Sequence, residues 1–104
     1  MRIIYKTKKF EKVCNNFSIA KKEYGDLMAH KIHEVIDYLR AANTVDLLVH
    51  SRIGGCHPLK GNRKGQYAFY LVHPQRLIFT VKKEEISVYC IEETARVEDI
   101  EDYH

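Results

Sequence analysis

The sequence predicts an α+β fold in which an N-terminal strand and a helical hairpin pack on a small, mainly antiparallel sheet. Two observations carry this prediction: apolar residues recur at helical spacing in the first half of the chain and with β character in the second. Gly54 and Gly55 separate the two patterns. The 104 residues suit one domain, residues 1–104, with a single modest core.

The first half opens with a short strand and continues with a helical segment. Residues 2 to 6 are rich in β-branched and aromatic side chains, which favours a strand. From Phe10 to Tyr24 the apolar residues follow a helical period. Asn15 and Asn16 are poor helix formers, so we expect them to break this segment in two.

A second helix is predicted after Gly25, with Asp26 as its N-cap. Its apolar stripe is formed by Met28, Ile32, Val35, Ile36 and Leu39. Residues 44 to 53 fit either a short helix or a strand. The two helical regions together predict a hairpin.

Strand character dominates after the two glycines. The predicted strands cover residues 66 to 72, 76 to 82, 86 to 91 and 96 to 103. His73, Pro74 and Gln75 form a tight connection between the first two strands, because proline cannot donate a ladder hydrogen bond inside a central strand. Arg76 therefore begins a strand, and in an antiparallel meander we expect it near the loop that precedes the strand at 66.

Composition favours a cytoplasmic protein without membrane contact. No apolar run approaches the ~20 residues that span a bilayer. The apolar start at Ile3 and Ile4 gives way at once to lysines, which does not suit a signal peptide. The cysteines Cys14, Cys56 and Cys90 form no C-x-x-C pair, so we expect buried apolar residues rather than disulfides or a metal site.

Charge is unevenly distributed along the chain. Residues 1 to 83 contain sixteen Lys or Arg and six Asp or Glu, whereas residues 84 to 104 contain one Arg and eight acids. Such a basic body attracts a polyanion through its summed field. We expect the acidic segment to lie away from that anion, to pair with the basic face, or to do both.

Two clusters contain side chains that are suited to cleaving a phosphodiester bond. One is the loop at residues 57 to 65, His-Pro-Leu-Lys-Gly-Asn-Arg-Lys-Gly, followed by Arg76. The other is the closing triplet Asp102, Tyr103 and His104. Taken alone, the loop is also consistent with a solvated basic turn, and Arg76 with a surface ion pair. If the last strand pairs beside the Arg76 strand, the two clusters form one site.

In order and spacing these blocks resemble a known family. The run at 57 to 67 ends in Gly-Gln-Tyr, an Arg-Leu-Ile-Phe sequence follows at 76 to 79, and Asp-Tyr-His closes the chain. They are similar to HigB toxins of the RelE/ParE superfamily of type II toxin–antitoxin systems. Asn62 and Tyr67 depart from the family, where Asp and Trp are common at those positions.

The resemblance implies a RelE-like fold and a ribosome-dependent endonuclease that cleaves mRNA in the ribosomal A site. The implied partners are the 70S ribosome, mRNA and a HigA-like helix-turn-helix antitoxin, with operator DNA bound only through the antitoxin complex. No cofactor and no metal are implied. The implied catalytic residues are His57, Lys60, Arg76, Tyr103 and His104, and Asp102 also matches a functional position, which we expect to serve RNA binding. From the basic loop itself we add Arg63 and Lys64 as RNA-binding residues.

These side chains suit attack by an RNA 2′-hydroxyl on its own 3′ phosphate. Lys60 and Arg76 would stabilise the charged phosphorane, and His57 and His104 would exchange protons. The order of base and acid stays open, although the α-carboxylate of His104 favours its protonated form and hence the acid. Tyr103 would stack on a base or position the hydroxyl, and strand alternation leaves the direction of Asp102 open.

Two other functions fit the same sequence less fully. A ParE-like toxin that inhibits gyrase shares the fold but does not need the histidine, lysine, arginine and tyrosine set. A plain RNA-binding or ribosome-binding module explains the basic body but not the closing phenol and imidazole. A helix-turn-helix protein encoded beside this gene would favour either toxin over the binding module.

Overall fold

The computed structural model describes residues 1–102, which form four α-helices and five strands. In chain order these are β1 (Arg2–Tyr5), α1 (Lys8–Asn15), α2 (Phe17–Tyr24), α3 (Asp26–Ala41), α4 (Val45–His50), β2 (His57–Pro58), β3 (Gln66–Tyr70), β4 (Gln75–Ser87) and β5 (Cys90–Asp102). Short 3₁₀ turns occur at Ile53–Gly55 and Gly61–Arg63. None of the helices in this part of the chain is long and apolar enough to cross a bilayer.

The five strands form one sheet in the order β1-β5-β4-β3-β2. β1 runs parallel to β5, and the other neighbouring strands are antiparallel. The acidic segment of the sequence therefore supplies a strand inside the sheet rather than a tail. The predicted α+β class, with an opening strand and a mainly antiparallel sheet, is confirmed.

Asn16 divides the first helical segment, as the sequence predicts. α1 ends at Asn15, and the Asn16 Oδ1 accepts a hydrogen bond from the Ile19 backbone N–H at 3.2 Å. This side-chain bond satisfies a backbone donor that the first turn of α2 leaves without a helical partner.

The predicted N-cap of α3 is wrong by one residue. Gly25 occupies the cap position with φ 88°, and its carbonyl accepts from the Ala29 N–H at 3.0 Å. A positive φ is accessible to glycine at little cost, so the chain turns there. Asp26 lies in the first turn instead, where its negative charge still favours the helix dipole.

The core lies between the helical hairpin and one face of the sheet. α3 contributes its predicted apolar stripe, including the fully buried Ile32 and Ile36. The sheet contributes Leu77 and the stacked rings of Phe69 and Phe79, whose centroids are 5.1 Å apart. This packing fixes which side chains of β3 and β4 are directed away from the helices.

The segment at 44 to 53, which fits a helix or a strand by sequence, forms helix α4. Thr44 caps it by accepting from the Leu47 N–H at 3.3 Å. The Glu93 carboxylate of β5 also accepts from the Val45 N–H at 2.9 Å, and Glu93 is only 7% exposed. The buried carboxylate thus links β5 to the start of α4.

Replacing Glu93 with alanine should lower the free energy of unfolding by about 1–3 kcal/mol, because the Val45 N–H loses its acceptor. Urea unfolding followed by circular dichroism measures this loss. Glu92→Ala is the matched control, since Glu92 is its exposed neighbour on β5. Equal losses in both variants would contradict a specific role for the Glu93 bond.

The predicted strand at 86 to 91 is wrong. β4 continues to Ser87, the chain reverses at Val88 and Tyr89, and β5 begins at Cys90, which pairs with Ser87. Residues 86 to 91 contain no Gly, Pro, Asn or Asp, so the sequence predicts one continuous strand where the chain in fact reverses.

The cysteine prediction is correct for two of three residues. Cys14 and Cys56 are buried, and burial raises the pKa of each thiol to about 12. Cys90 is exposed near the end of the β4–β5 hairpin, which contradicts its predicted burial. The same unrecognised turn explains this error, because it carries Cys90 beyond the core.

Candidate active site on the open face of the sheet

Alternate side chains of β3 and β4 point away from the helices, and we call the sheet surface they form the open face. Tyr67, Phe69, Leu77 and Phe79 face the helical core, so the residues between them face the opposite side. In register across β3 and β4, the open-face pairs are Gln66 with Thr80, Ala68 with Ile78, and Tyr70 with Arg76.

His57 lies on the open face at the edge strand β2, where it pairs with Ala68. Its Nδ1 is 2.9 Å from the Gly55 carbonyl oxygen. A carbonyl can only accept, so Nδ1 carries the proton and the neutral ring has its lone pair on Nε2. The half-buried imidazole is therefore oriented to take a proton through Nε2.

Arg63 forms an ion pair across the open face. Its two terminal nitrogens each donate to a carboxylate oxygen of Glu101 at 2.7 Å, and its Nε donates to the Gln66 Oε1 at 2.8 Å. Gln66 and Glu101 lie on either side of the row that contains Ala68 and Ile78. The Arg63 side chain therefore crosses that row, which accounts for the burial of both residues outside the helix-facing core.

The Arg63 guanidinium lowers the pKa of the Glu101 carboxyl through these hydrogen bonds. Partial burial opposes the change, and the charge of Arg76 lowers the pKa further. Because the folded pKa lies below the unfolded value, the pair stabilises the fold above the unfolded pKa. That stabilisation is lost as the pH falls through the lowered folded pKa.

We therefore expect the parent protein to lose more stability than Glu101→Gln between pH 7 and pH 3. The difference should be at most about 1 kcal/mol, since both partners are partly exposed and solvent screens the pair. Urea unfolding of both proteins at the two pH values measures it. Identical acid losses in the two proteins would show that the pair has no net effect.

Arg76 lies at the other end of β3 from the loop, contrary to the sequence expectation. It pairs with Tyr70 on one side and with Glu101 on the other, whereas the loop leads into Gln66. The long side chain of Arg63 closes this gap by reaching Glu101. Arg76 therefore lies opposite the carboxylate residue that binds Arg63.

The loop between β2 and β3 turns on two glycines, as the sequence predicts. Gly61 has φ +70° and Gly65 has φ +91°, in the region that favours glycine. Lys60 and Lys64 flank the 3₁₀ turn and are exposed. Both lysines are therefore accessible to an anion from solvent.

Asp102 pairs with Gln75 at the end of β5. Strand alternation places it on the face opposite to Glu101. The last strand does run beside the Arg76 strand, but its described end lies at the Gln75 end of β4, whereas the loop leads into Gln66 at the other end of β3. Tyr103 and His104 lie outside the described residues.

A groove on the open face contains basic residues that sequence reasoning missed. It has a volume of about 460 Å³, and its lining includes Arg2, Lys82 and Arg96 together with one acid, Glu84, which pairs with Lys82 at 3.3 Å. Arg76 and Lys82 are an even number of residues apart on β4. This spacing is a signal that could have placed Lys82 on the Arg76 face.

Within residues 1–102, no three His, Cys, Asp or Glu side chains are grouped closely enough to hold a metal ion. The described part of the open face instead brings together an imidazole, two guanidiniums and a carboxylate. Such groups can bind a phosphodiester and move a proton at its reacting oxygen.

Comparison with known proteins supports the fold. No protein-family model matches the chain, and no curated protein matches it. A solved YoeB/ParE toxin from Agrobacterium tumefaciens is similar with a TM-score of 0.61 and 15% identity, over 100% of both chains. A YoeB dimer structure from Staphylococcus aureus is similar with a TM-score of 0.61 and 20% identity, over 100% of this chain and 97% of that chain. The chain therefore has the fold of these toxins, which confirms the predicted RelE-like architecture.

Proposed function

We propose that this protein is the toxin of a type II toxin–antitoxin system, of the HigB kind, and acts as a ribosome-dependent mRNA endonuclease. The observation that carries the proposal is the placement of His57 and Arg76 on one open face. Their backbones are two strand spacings apart across the sheet and offset by two residues along it, a separation of about 12 Å, and Tyr70 lies between them. That separation suits a phosphodiester held between a proton acceptor and a cation.

The proposed reaction is an internal transfer at phosphorus. The RNA 2′-oxygen forms a bond to its own 3′ phosphorus, and the bond from phosphorus to the 5′ oxygen of the next nucleotide breaks. A base takes the 2′-hydroxyl proton, and an acid gives a proton to the leaving 5′ oxygen. The products are a 2′,3′-cyclic phosphate and a 5′-hydroxyl end.

His57 fits the role of base, because its bond to Gly55 leaves Nε2 as the proton acceptor. Arg76 fits the role of stabilising the phosphorane, since a guanidinium can donate two hydrogen bonds to phosphate oxygens. We assign the acid to His104 and the second cationic contact to Lys60. Tyr103 would position the hydroxyl.

Binding of the RNA backbone is assigned to the loop and the groove. Lys64 is exposed, and the groove that contains Arg2 and Arg96 extends the positive surface along the sheet. Arg63 would exchange its carboxylate partner for a phosphate when RNA binds. Asp102, on the other face from Glu101, would act by orienting the end of the chain rather than by touching RNA.

The proposed cellular partners follow from the exposure of this face. A cationic surface of this size binds RNA without selectivity unless it is covered. A HigA-like helix-turn-helix antitoxin would cover it, and the pair would bind operator DNA through the antitoxin. The 70S ribosome and its mRNA would be the target in the cytoplasm.

The test uses purified protein with ribosomes that translate a defined message. Primer extension should reveal new mRNA ends at A-site codons, and only when ribosomes are present. A gyrase supercoiling assay is run in parallel. Inhibition of gyrase without mRNA cleavage would favour a ParE-like inhibitor, and ribosome binding without either activity would favour a plain binding module.

A further inference from the structure

Tyr70 presents an aromatic ring in the centre of the proposed site. Its side chain is 47% exposed on the open face. The ring centroid is 5.1 Å from that of His57, with the two planes tilted by 38°. Across the sheet Tyr70 pairs directly with Arg76. The ring therefore separates the proposed base from the proposed phosphate-binding cation.

The backbone at Gly55 fixes the position of this ring. A Cβ atom added at Gly55 would be 2.2 Å from the Tyr70 Cδ2 and 2.8 Å from its Cε2. Any side chain there would displace the ring. Gly55 also has φ +70°, which disfavours other residues. The ring is thus supported from below by backbone while much of its surface stays accessible to solvent.

A pocket adjoins the ring at the turn between β3 and β4. It has a volume of about 380 Å³ and is lined by Tyr70, Leu71, His73, Pro74 and Gln75. Its walls are mainly apolar. A flat, partly apolar group would match this pocket, and an anion attached to that group could contact Arg76, which pairs with Tyr70.

We propose that Tyr70 and the β3–β4 turn form a stacking site for an unpaired nucleobase beside the scissile phosphate. This inference rests on the proposed function and identifies how the site holds its RNA. A base can stack on a tyrosine ring while its phosphate contacts Arg76, the residue paired with Tyr70. Stacking would then set the distance of the 2′-hydroxyl from the His57 Nε2.

Comparison within the chain argues against a purely structural role. Tyr67 lies on the same strand and is partly buried, with its ring 5.6 Å from that of Phe79 in a stacked arrangement against the core. Tyr70 is more exposed and faces away from that core. A tyrosine that only filled space would be expected on the Tyr67 side of the strand.

The test uses ribosomes programmed with a message whose A-site codon carries 2′-O-methyl groups, so that it cannot be cleaved. 2-Aminopurine replaces each base of that codon in turn, because stacking on an aromatic ring quenches its fluorescence. Tyr70→Leu keeps bulk over Gly55 but removes the ring, and Tyr70→Phe keeps the ring. Tyr89→Leu is the matched control, since Tyr89 is 96% exposed at the far end of the β4–β5 hairpin.

We expect the parent, Tyr70→Phe and Tyr89→Leu proteins to quench one codon position. Tyr70→Leu should lose that quench and bind the programmed ribosome about 5- to 150-fold more weakly, as expected for one base stack. A Tyr70→Leu protein that still quenches the same position would overturn the stacking site but leave the nuclease proposal standing. A parent protein that does not bind programmed ribosomes at all would overturn both.

Discussion

Replacing Arg76 with alanine should reduce cleavage of ribosome-bound mRNA by about 100-fold or more. Arg76 pairs with Tyr70 across β4 and β3, and its guanidinium is the proposed cation for the phosphate. Removing one hydrogen-bond donor to a charged transition state has an effect of this size. Single-turnover cleavage measures the chemical step, and circular dichroism confirms folding. Arg40→Ala is the matched control, because Arg40 is exposed on α3.

Arg76→Lys separates charge from shape. Lysine keeps the positive charge but cannot offer two parallel donors to phosphate oxygens. We expect it to recover only part of the lost rate. Full activity in a folded Arg76→Ala protein would remove Arg76 from the proposed reaction.

Replacing His57 with glutamine should also lower the cleavage rate by about 100-fold or more, since a positioned general base contributes at least that much. Glutamine remains polar and similar in length but does not take up a proton.

His50→Gln is the control for this change, because His50 is an exposed histidine on α4. RNA binding should stay close to that of the parent in His57→Gln, which separates proton transfer from substrate binding. A folded His57→Gln protein that keeps the parent's rate would assign the base to another residue.

The elements could be predicted from sequence where the local signals agree. Asn16 breaks a helical period, and the apolar stripe of α3 is unambiguous, so both features were predicted correctly. The β4–β5 hairpin could not be predicted, because Val88 and Tyr89 are ordinary strand residues that form a turn only when the two long strands pair. The one local turn bond there is donated by the Tyr89 N–H to the Ser87 Oγ at 3.2 Å, and serine is only a weak turn signal in a sequence.

The candidate site was predicted in composition but not in arrangement. His57 and Arg76 were identified from the sequence, but the expected position of Arg76 near the loop was wrong, because Arg76 pairs with Tyr70 at the far end of β3. The carboxylate that binds Arg63 was not identified, because Glu101 is distant in sequence. It is also one of eight acids in residues 84 to 104, and their count does not show which of them faces Arg63. Tyr70 was missed for a similar reason, since its place beside His57 depends on a strand of two residues, β2.

The position of β1 has a consequence for the newly synthesised chain. Ile3 pairs with Ala95, so the strand made first has no neighbour in the sheet until nearly the whole chain has left the ribosome. The Arg63 side chain likewise lacks its carboxylate partner until Glu101, near the end of the chain, has been made. Because contacts between distant parts of a chain form late in folding, every incomplete chain lacks both the sheet centre and the open face. The candidate site is thus assembled only when translation of the message is almost finished.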